Sequence, residues 1–295
     1  MNIVALAGGV GGAKLADGLA QILPPENLTI IVNTGDDFEH LGLKICPDLD
    51  TVCYTLAGLA NPVTGWGLAG ESWNALEAIA TLGGPRWFGG GDRDLGTHLE
   101  RTRRLRAGQS LRQITRYFCR AWGVKPTVLP MSNENVPTIV QTEEGDLAFQ
   151  EYFVRRQCHP RVKGFRFEGI QAARPAPGVL EALEGADAVV ICPSNPWVSV
   201  EPILAVPGVR ESLGQRGRAD TGRKFVGRLR KVVAVSPIIA GQAVKGPAAK
   251  MYAELGVEPS ALAVARHYGG LLEGFVFDKQ DMQVLAEVQA LGLRP

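Results

Sequence analysis

Residues 28–51 read LTIIVNTGDDFEHLGLKICPDLDT, and this stretch decides the fold class. The apolar run at 28–33, interrupted by Thr29 and closed by Asn33, is too short for a helix and ends at a turn signal. It reads as a buried parallel strand. Asp36, Asp37, Asp48 and Asp50 follow on Gly- and Pro-containing backbone that looks loop-like, beyond the carboxyl end of that strand. Ligands bind there in an open α/β sheet. A structural reading stands beside this one. Asp in such turns also caps helices and bonds its own backbone, and Asp50-Thr51 ahead of the apolar 52–56 makes an ordinary helix start.

Moving outward, the strand–turn–helix pattern recurs. Residues 2–7, NIVALA, form a strand, GGVGGAK is a glycine turn, and Leu15, Leu19 and Ile22 follow at helical spacing. The turn is neither the dinucleotide fingerprint, whose third glycine falls on Lys14, nor a Walker A loop, since Ala13 precedes Lys14. Gly8, Gly9, Gly11 and Gly12 either let backbone N–H groups approach an anion at a helix start or permit tight strand-to-helix packing. Two further apolar strands, near 187–192 and 232–236, also run into polar turns. The first leads into PSNPWVSVEPIL, where Ser194 and Asn195 are either phosphate contacts or turn residues. The second leads into PIIAGQAVKGPAAKMYAEL, where Lys245 and Lys250 flank a predicted helix start at Gly246-Pro247 and one ammonium is expected near a phosphate. Four βα units with right-handed crossovers bring all four turns to one sheet edge. Four polar loops on one edge make a site.

The intervening sequence adds helices and a hairpin. A helix is expected over 71–82, another from Asp92, and a third over 110–122, giving a mostly helical insertion at about 52–125. In WFGGGDRDLGTHLERTRRLRAG, Asp92 and Asp94 stand in a first turn, and Arg101, Arg103, Arg104 and Arg106 lie towards the end, as the helix dipole prefers. The glycines at 89–91 would let backbone lie against a flat ring, whereas His98 alone says little. Runs at 138–142 and 146–152 around Glu143-Glu144-Gly145 read as a hairpin, with a strand at 165–170, forming an appendage over about 136–170. The expected architecture is a single α/β domain over 1–295, a Rossmann-like parallel sheet with helices on both faces.

Composition bounds the function. A net charge of +1 and a hydrophobic share of 45% argue against a global nucleic-acid or membrane field, so no nucleic acid and no membrane are expected as partners. The basic stretch 214–231 carries Arg216, Arg218, Arg223, Lys224, Arg228, Arg230 and Lys231. It reads as a solvated loop, a flap over an anionic substrate, or a nucleic-acid contact with only Phe225 interleaved. Five cysteines without paired CxxC spacing fit neither a disulfide framework nor a zinc cluster. The N-terminus lacks signal-peptide character, and no apolar run approaches the ~20 residues of a spanning helix, so a cytoplasmic protein is expected.

Taken together and in order, GGVGGAKL at 8–15, VNTGDD at 32–37, ICPDLDT at 45–51, GDRDLGTHL at 91–99, PSNPWVSVEPIL at 193–204 and AVSPIIAGQAVKGPAAK at 234–250 closely resemble the 2-phospho-L-lactate transferase family over nearly the whole chain. The resemblance implies transfer of a phosphoester unit from a lactyl, enolpyruvyl or glyceryl ester of GDP to the ribityl hydroxyl of a deazaflavin, with GMP leaving, in deazaflavin coenzyme biosynthesis. It implies Mg2+ held by Asp36 and Asp50, the acceptor approached by Asp50 and Gly89, and a homodimer. It further implies substrate contacts at Gly8, Gly9, Gly11, Gly12, Asn33, Thr51, Asp92, Arg93, His98, Ser194, Asn195 and Lys245. Trp87, Phe88 and the glycines at 89–91 would border the deazaflavin. Position 89 is Lys in some members, and relatives continue past Pro295 through a Thr-Asp-Thr segment. Mg2+ chemistry suits the acidic residues, because this ion takes one or two carboxylates plus water and phosphate oxygens. A non-catalytic nucleotide-binding regulator of the gluconeogenesis-factor type is the alternative. ICPDLDT and GDRDLGTHL together favour the transferase.

Overall fold

The computed structural model describes residues 1–214 and 231–295, so the basic stretch lies outside the described residues except for Gly214 and Lys231. The strands are β1 (Ile3–Ala7), β2 (Leu28–Val32), β3 (Phe38–His40), β4 (Leu43–Ile45), β5 (Thr127–Pro130), β6 (Thr138–Thr142), β7 (Gly145–Ala148), β8 (Val162–Phe167), β9 (Ala188–Ile191), β10 (Lys231–Val235), β11 (Ile238–Ile239), β12 (Gln242–Ala243) and β13 (Gly274–Val276). Six of them form one parallel sheet in the order β13-β10-β9-β1-β2-β5. Counted along the chain this is the 3-2-1-4-5-6 arrangement of a doubly wound dinucleotide-type fold, with its topological switch between β1 and β9. The four strands expected from the sequence form the centre. The outer pair, β5 and β13, were not read as sheet strands, being only four and three residues long.

β1 is buried at every position, as a strand covered on both faces must be. Its side chains alternate between two cores. Val4 and Leu6 face a core with Ile31, Leu129, Val189 and Ile191, whereas Ile3, Ala5 and Ala7 face one with Ala13, Ala16, Leu49 and Val52. Helices α1 (Gly9–Ile22), α2 (Pro47–Leu56), α3 (Asn74–Thr81), α4 (Asp92–Arg106) and α5 (Leu111–Ala121) precede β5. α6 (Val179–Gly185), α7 (Glu201–Ala205), α8 (Val209–Gly214), α9 (Ala248–Glu254), α10 (Ala261–Tyr268) and α11 (Leu285–Ala290) follow it.

Three local readings change. The helix expected to start at Asp50-Thr51 starts at Pro47, whose fixed φ suits the first helical position, so Asp48 and Asp50 lie in a buried first turn and not on loop backbone. FEHLGLKI folds into the β3–β4 hairpin, its turn made by Leu41 and Gly42 at positive φ. In the appendage, β7 stops at Ala148, the chain winds through a helical turn at Glu151–Arg155, and β8 begins at Val162, so β6 is flanked on both sides. A third core of Val140, Phe149, Tyr152 and Val162 with Val198 and Met251 fastens this small sheet to the main body.

Candidate active site

The switch point lies between β1 and β9, where open α/β sheets bind ligands, and the glycine turn follows β1 there. Gly8 N–H donates to Ser194 Oγ at 3.3 Å, and that hydroxyl donates back to Gly8 O at 2.7 Å, tying the β1 turn to the β9 turn. A Cβ on Gly11 would overlap the Pro193 carbonyl, and one on Gly12 would lie 2.7 Å from Ser194 Oγ. On Gly8 it would lie 2.7 Å from both Asp48 Oδ2 and Ser199 Cβ. Close packing therefore accounts for three of these glycines, while Gly9 needs its positive φ of 60° to turn the chain.

Asn33, fully buried at the end of β2, organises the first acidic group. Its Nδ2 donates to Asp36 Oδ1 at 3.0 Å, to Asp48 Oδ2 at 2.9 Å and to Val198 O at 3.1 Å. Burial pushes the Asp36 carboxyl well up, and the neighbouring Asp48 adds to the effect. Asp48 is pushed up to about 6 by burial, against the Asn33 amide and the Gly9 N–H. Asp37 also rises to about 6 through burial, opposed by Lys44 and by the Cys46 thiol, which donates to it at 3.0 Å.

Asp50 points into a different group, between α2 and α4. Its Oδ1 accepts a short bond from Arg101 Nη2, and its Oδ2 is buried without a hydrogen-bond partner, 3.7 Å from His98 Nδ1. His98 Nε2 faces Asp94 Oδ2 at 3.5 Å. Tyr54 Oη donates to Asp94 Oδ1 at 2.6 Å and lies 2.8 Å from Thr97 Oγ1. Burial raises the Asp50 carboxyl against the opposing charges of Arg101 and His98. Asp94 is held low despite its burial, chiefly by the hydrogen bond and charge of His98. Ligand atoms of Asp50, Asp94 and His98 lie within 4.8 Å of one another. Arg101 already supplies a positive charge there.

An aromatic cluster adjoins this second group. Phe38 packs edge-on against Phe88 at 4.9 Å, and His40 against Trp87 at 5.1 Å. Burial, with His98 nearby, lowers the basicity of His40, and the β3–β4 hairpin that carries Phe38 and His40 bonds α4 through Lys44, whose N–H donates to Thr102 Oγ1 and whose carbonyl accepts from Arg101. Gly89 stands open at the cluster's edge, where an added Cβ would meet only Trp73, at 3.7 Å.

The structure thus gathers Gly8, Gly9, Gly11, Gly12, Asn33, Asp36, Asp48 and Ser194 at one end, and Asp50, His98 and the aromatic rings at the other. Thr51 is buried on α2, directly after Asp50. Asn195 is committed to structure, accepting from Trp197 N–H at 3.0 Å and donating to Met251 Sδ. Both Asp92 oxygens are occupied by Ser72, Asn74 and Ala75, which caps α3 and lowers the carboxyl to about 2. Arg93 donates to Ala69 O and lines a separate 360 Å³ cavity with Leu68, Tyr117 and Trp122. Lys245 donates to Thr64 O, on a loop whose Gly65 lies beside Val10 of the glycine turn, whereas Lys250 is held by Glu254 and Pro160 O. Sequence reasoning named Asp48 among four candidate carboxylates without giving it a site role, and it did not single out His40, Tyr54 or the role of Arg101. The signal for Arg101 was its spacing: Asp94, His98 and Arg101 fall at i, i+4 and i+7, one helix face.

A doubly wound parallel sheet in the order 3-2-1-4-5-6, with buried carboxylates in the turn and helix that follow β2, defines a Rossmann-type α/β protein. A family model described as 2-phospho-L-lactate transferase CofD matches residues 3–290. The phosphoenolpyruvate transferase of Streptomyces griseus is 46% identical over 300 residues, covering 100% of this chain and 91% of that protein. That of Thermobifida fusca is 42% identical over 310 residues, covering 99% and 92%. Crystal structures of protein BH3568 from Bacillus halodurans, one described as a member of the UPF0052 family, share the fold. Their TM-scores are 0.62 and 0.61 at 19% identity, over 99% of this chain and 90% of theirs. The chain belongs to the 2-phospho-L-lactate transferase family, whose reaction is transfer of a phospholactyl- or phosphoenolpyruvyl-type unit in deazaflavin coenzyme biosynthesis.

Proposed function

We propose that the chain transfers a phosphoenolpyruvyl unit from its GDP-linked ester to the terminal ribityl hydroxyl of a deazaflavin, releasing GMP. The names of the relatives support the three-carbon acid. The observation that carries the acceptor reading is the aromatic cluster of Phe38, His40, Trp87 and Phe88 on the hairpin that also bonds α4, the helix of His98 and Arg101. Flat rings prefer offset or edge contacts with such a wall, which leaves the ribityl chain to reach the carboxylates. In the reaction, the hydroxyl oxygen bonds to the phosphorus that bears the three-carbon acid. The bond from that phosphorus to the bridging oxygen breaks, and GMP carries that oxygen away. The glycine turn with Ser194 bounds the donor's phosphates, and Asp50 orients the attacking hydroxyl, so the protein's task is positioning and electrostatics.

Mg2+ belongs to this reading: the resemblance names Asp36 and Asp50 as its ligands, although the two carboxylates sit in separate groups, Asp36 with Asp48 around Asn33 and Asp50 with Arg101 and His98. The donor set fits a hard cation: carboxylate oxygens, two of them sharing one amide donor, and on Asp50 a buried oxygen with no hydrogen-bond partner. When bound, the ion offsets charge on the phosphate oxygens. The test is to incubate the protein with the deazaflavin, Mg2+ and each GDP ester in turn, and to identify products by mass. Enolpyruvyl product is expected to dominate. No product and no GMP from any donor would end the transferase reading. No helix among the described residues is long and apolar enough to cross a membrane, in keeping with a cytoplasmic setting. The homodimer expected from the resemblance is checked by light scattering, where a single species at 31.6 kDa excludes it.

A further inference from the structure

Arg101 lies too deep to touch a substrate. Its side chain is 1% exposed and it heads the largest fully buried side chains among the described residues. The guanidinium nevertheless touches three parts of the site's frame. Nη2 donates to Asp50 Oδ1 on α2, Nη1 donates to Lys44 O on β4 at 3.3 Å, and Nη1 lies 3.4 Å from His98 Nδ1. The ring of Phe118 on α5 backs it at 5.8 Å. Its neighbours on α4 behave differently: Arg103 and Arg104 pair with Glu100, and Arg106 reaches Gly42 O. Those serve the helix surface and its end. A buried ion pair is no better for stability than well-packed apolar side chains, so this pair needs another reason. Asp50 supplies one. Arg101 holds Oδ1 and so fixes the carboxylate's rotation, which leaves Oδ2 unbonded, 3.7 Å from His98 Nδ1.

We infer that Arg101 is the positioning residue that fixes the rotation of the Asp50 carboxylate and, through it, the geometry of the reacting hydroxyl. This rests on the reading of Asp50 as a site residue given above. Arg101→Ala leaves a guanidinium-sized space, and Arg101→Lys keeps the charge without the planar fork. In the full chain, with enolpyruvyl donor and deazaflavin, Arg101→Ala is expected to lower kcat by ~100-fold, as misplacement of a reacting geometry does, with donor KM within about twofold. Millimolar guanidinium is expected to recover much of that kcat, and equal urea none. Arg101→Lys should fold and show the same split of kcat from KM. A folded Arg101→Ala with near-normal kcat, or a loss that guanidinium does not rescue, overturns the inference. If Arg101→Ala does not fold, near-normal kcat in Arg101→Lys overturns it instead. Asp50→Asn run in parallel separates the two claims. An inactive Asp50→Asn beside an active Arg101 variant sinks only the positioning role, whereas an active Asp50→Asn sinks the reading of the site with it.

Discussion

Asp48 shows how one residue couples the site to stability. Its carboxyl sits at about 6 in the folded protein, above the ordinary 3.8, because burial disfavours its charge and the single Asn33 amide serves Asp36 as well. A raised folded value means the group favours folding below its unfolded value, and that contribution is lost as pH rises through about 6. By pH 7 the loss is about 3 kcal/mol as an upper figure, from a little over two pH units at about 1.4 kcal/mol each. Without metal, Asp48→Asn is therefore expected to melt above the parent protein at pH 7, with the gap closing towards pH 4. Equal melting temperatures at pH 7 would contradict it. Mg2+ should raise the parent's melting temperature at pH 7 and do little at pH 4, where the carboxyls are protonated; scanning calorimetry at the two pH values measures both.

At the scale of elements, the β1–α1 and α2–α4 junctions hold the two ends of the crevice. Gly11 and Gly18 both lie in α1, yet they answer to different neighbours. A Cβ at 11 overlaps the Pro193 carbonyl on the β9 turn, whereas at 18 it meets nothing within 4 Å. Gly11→Ala should cost about 1–3 kcal/mol by overpacking, and Gly18→Ala should gain about 0.5–1 kcal/mol by restricting the unfolded chain and improving helix propensity. Urea unfolding of the pair decides between packing and propensity as the role of the glycine turn. The other junction depends on Tyr54, whose hydroxyl joins α2 to Asp94 and Thr97 on α4. Tyr54→Phe removes a donor from a buried carboxylate and should cost about 1–3 kcal/mol, read as a lower urea midpoint at unchanged slope.

Over the whole molecule, the main core and the core of the small three-stranded sheet run into one another. Trp197 packs against both the main core and the core of the small three-stranded sheet, and Val198 and Met251 belong to the latter while lying on the β9 turn and α9. An appendage sharing its core with the sheet's own loops cannot unfold without exposing them. Calorimetry is expected to show one cooperative transition whose calorimetric and van't Hoff enthalpies agree. Two resolved transitions would mean that the 136–170 segment folds on its own.

Parallel central strands were legible because burial on both faces leaves unbroken apolar runs, and β1, β2, β9 and β10 carry them. β5, β13 and the β3–β4 hairpin are shorter, with weaker signals, and took their identity from what they pair with. At the site, residue types marked the glycine turn, Ser194 and four carboxylates, because Gly, Asp and Ser announce turns whatever they bind, and only the family resemblance picked Asp36 and Asp50 among the four. It did not say that Asp48 belongs beside Asp36, that Asp92 caps α3, or that Arg101 sits under Asp50. The bonds behind those pairings, from Asn33 to Asp48, from Ala75 to Asp92 and from Arg101 to Asp50, span 15 to 51 residues of chain. A residue's type and spacing fix what it is able to bond. Only the packing of α2 and α4 beside the sheet decides which partner arrives.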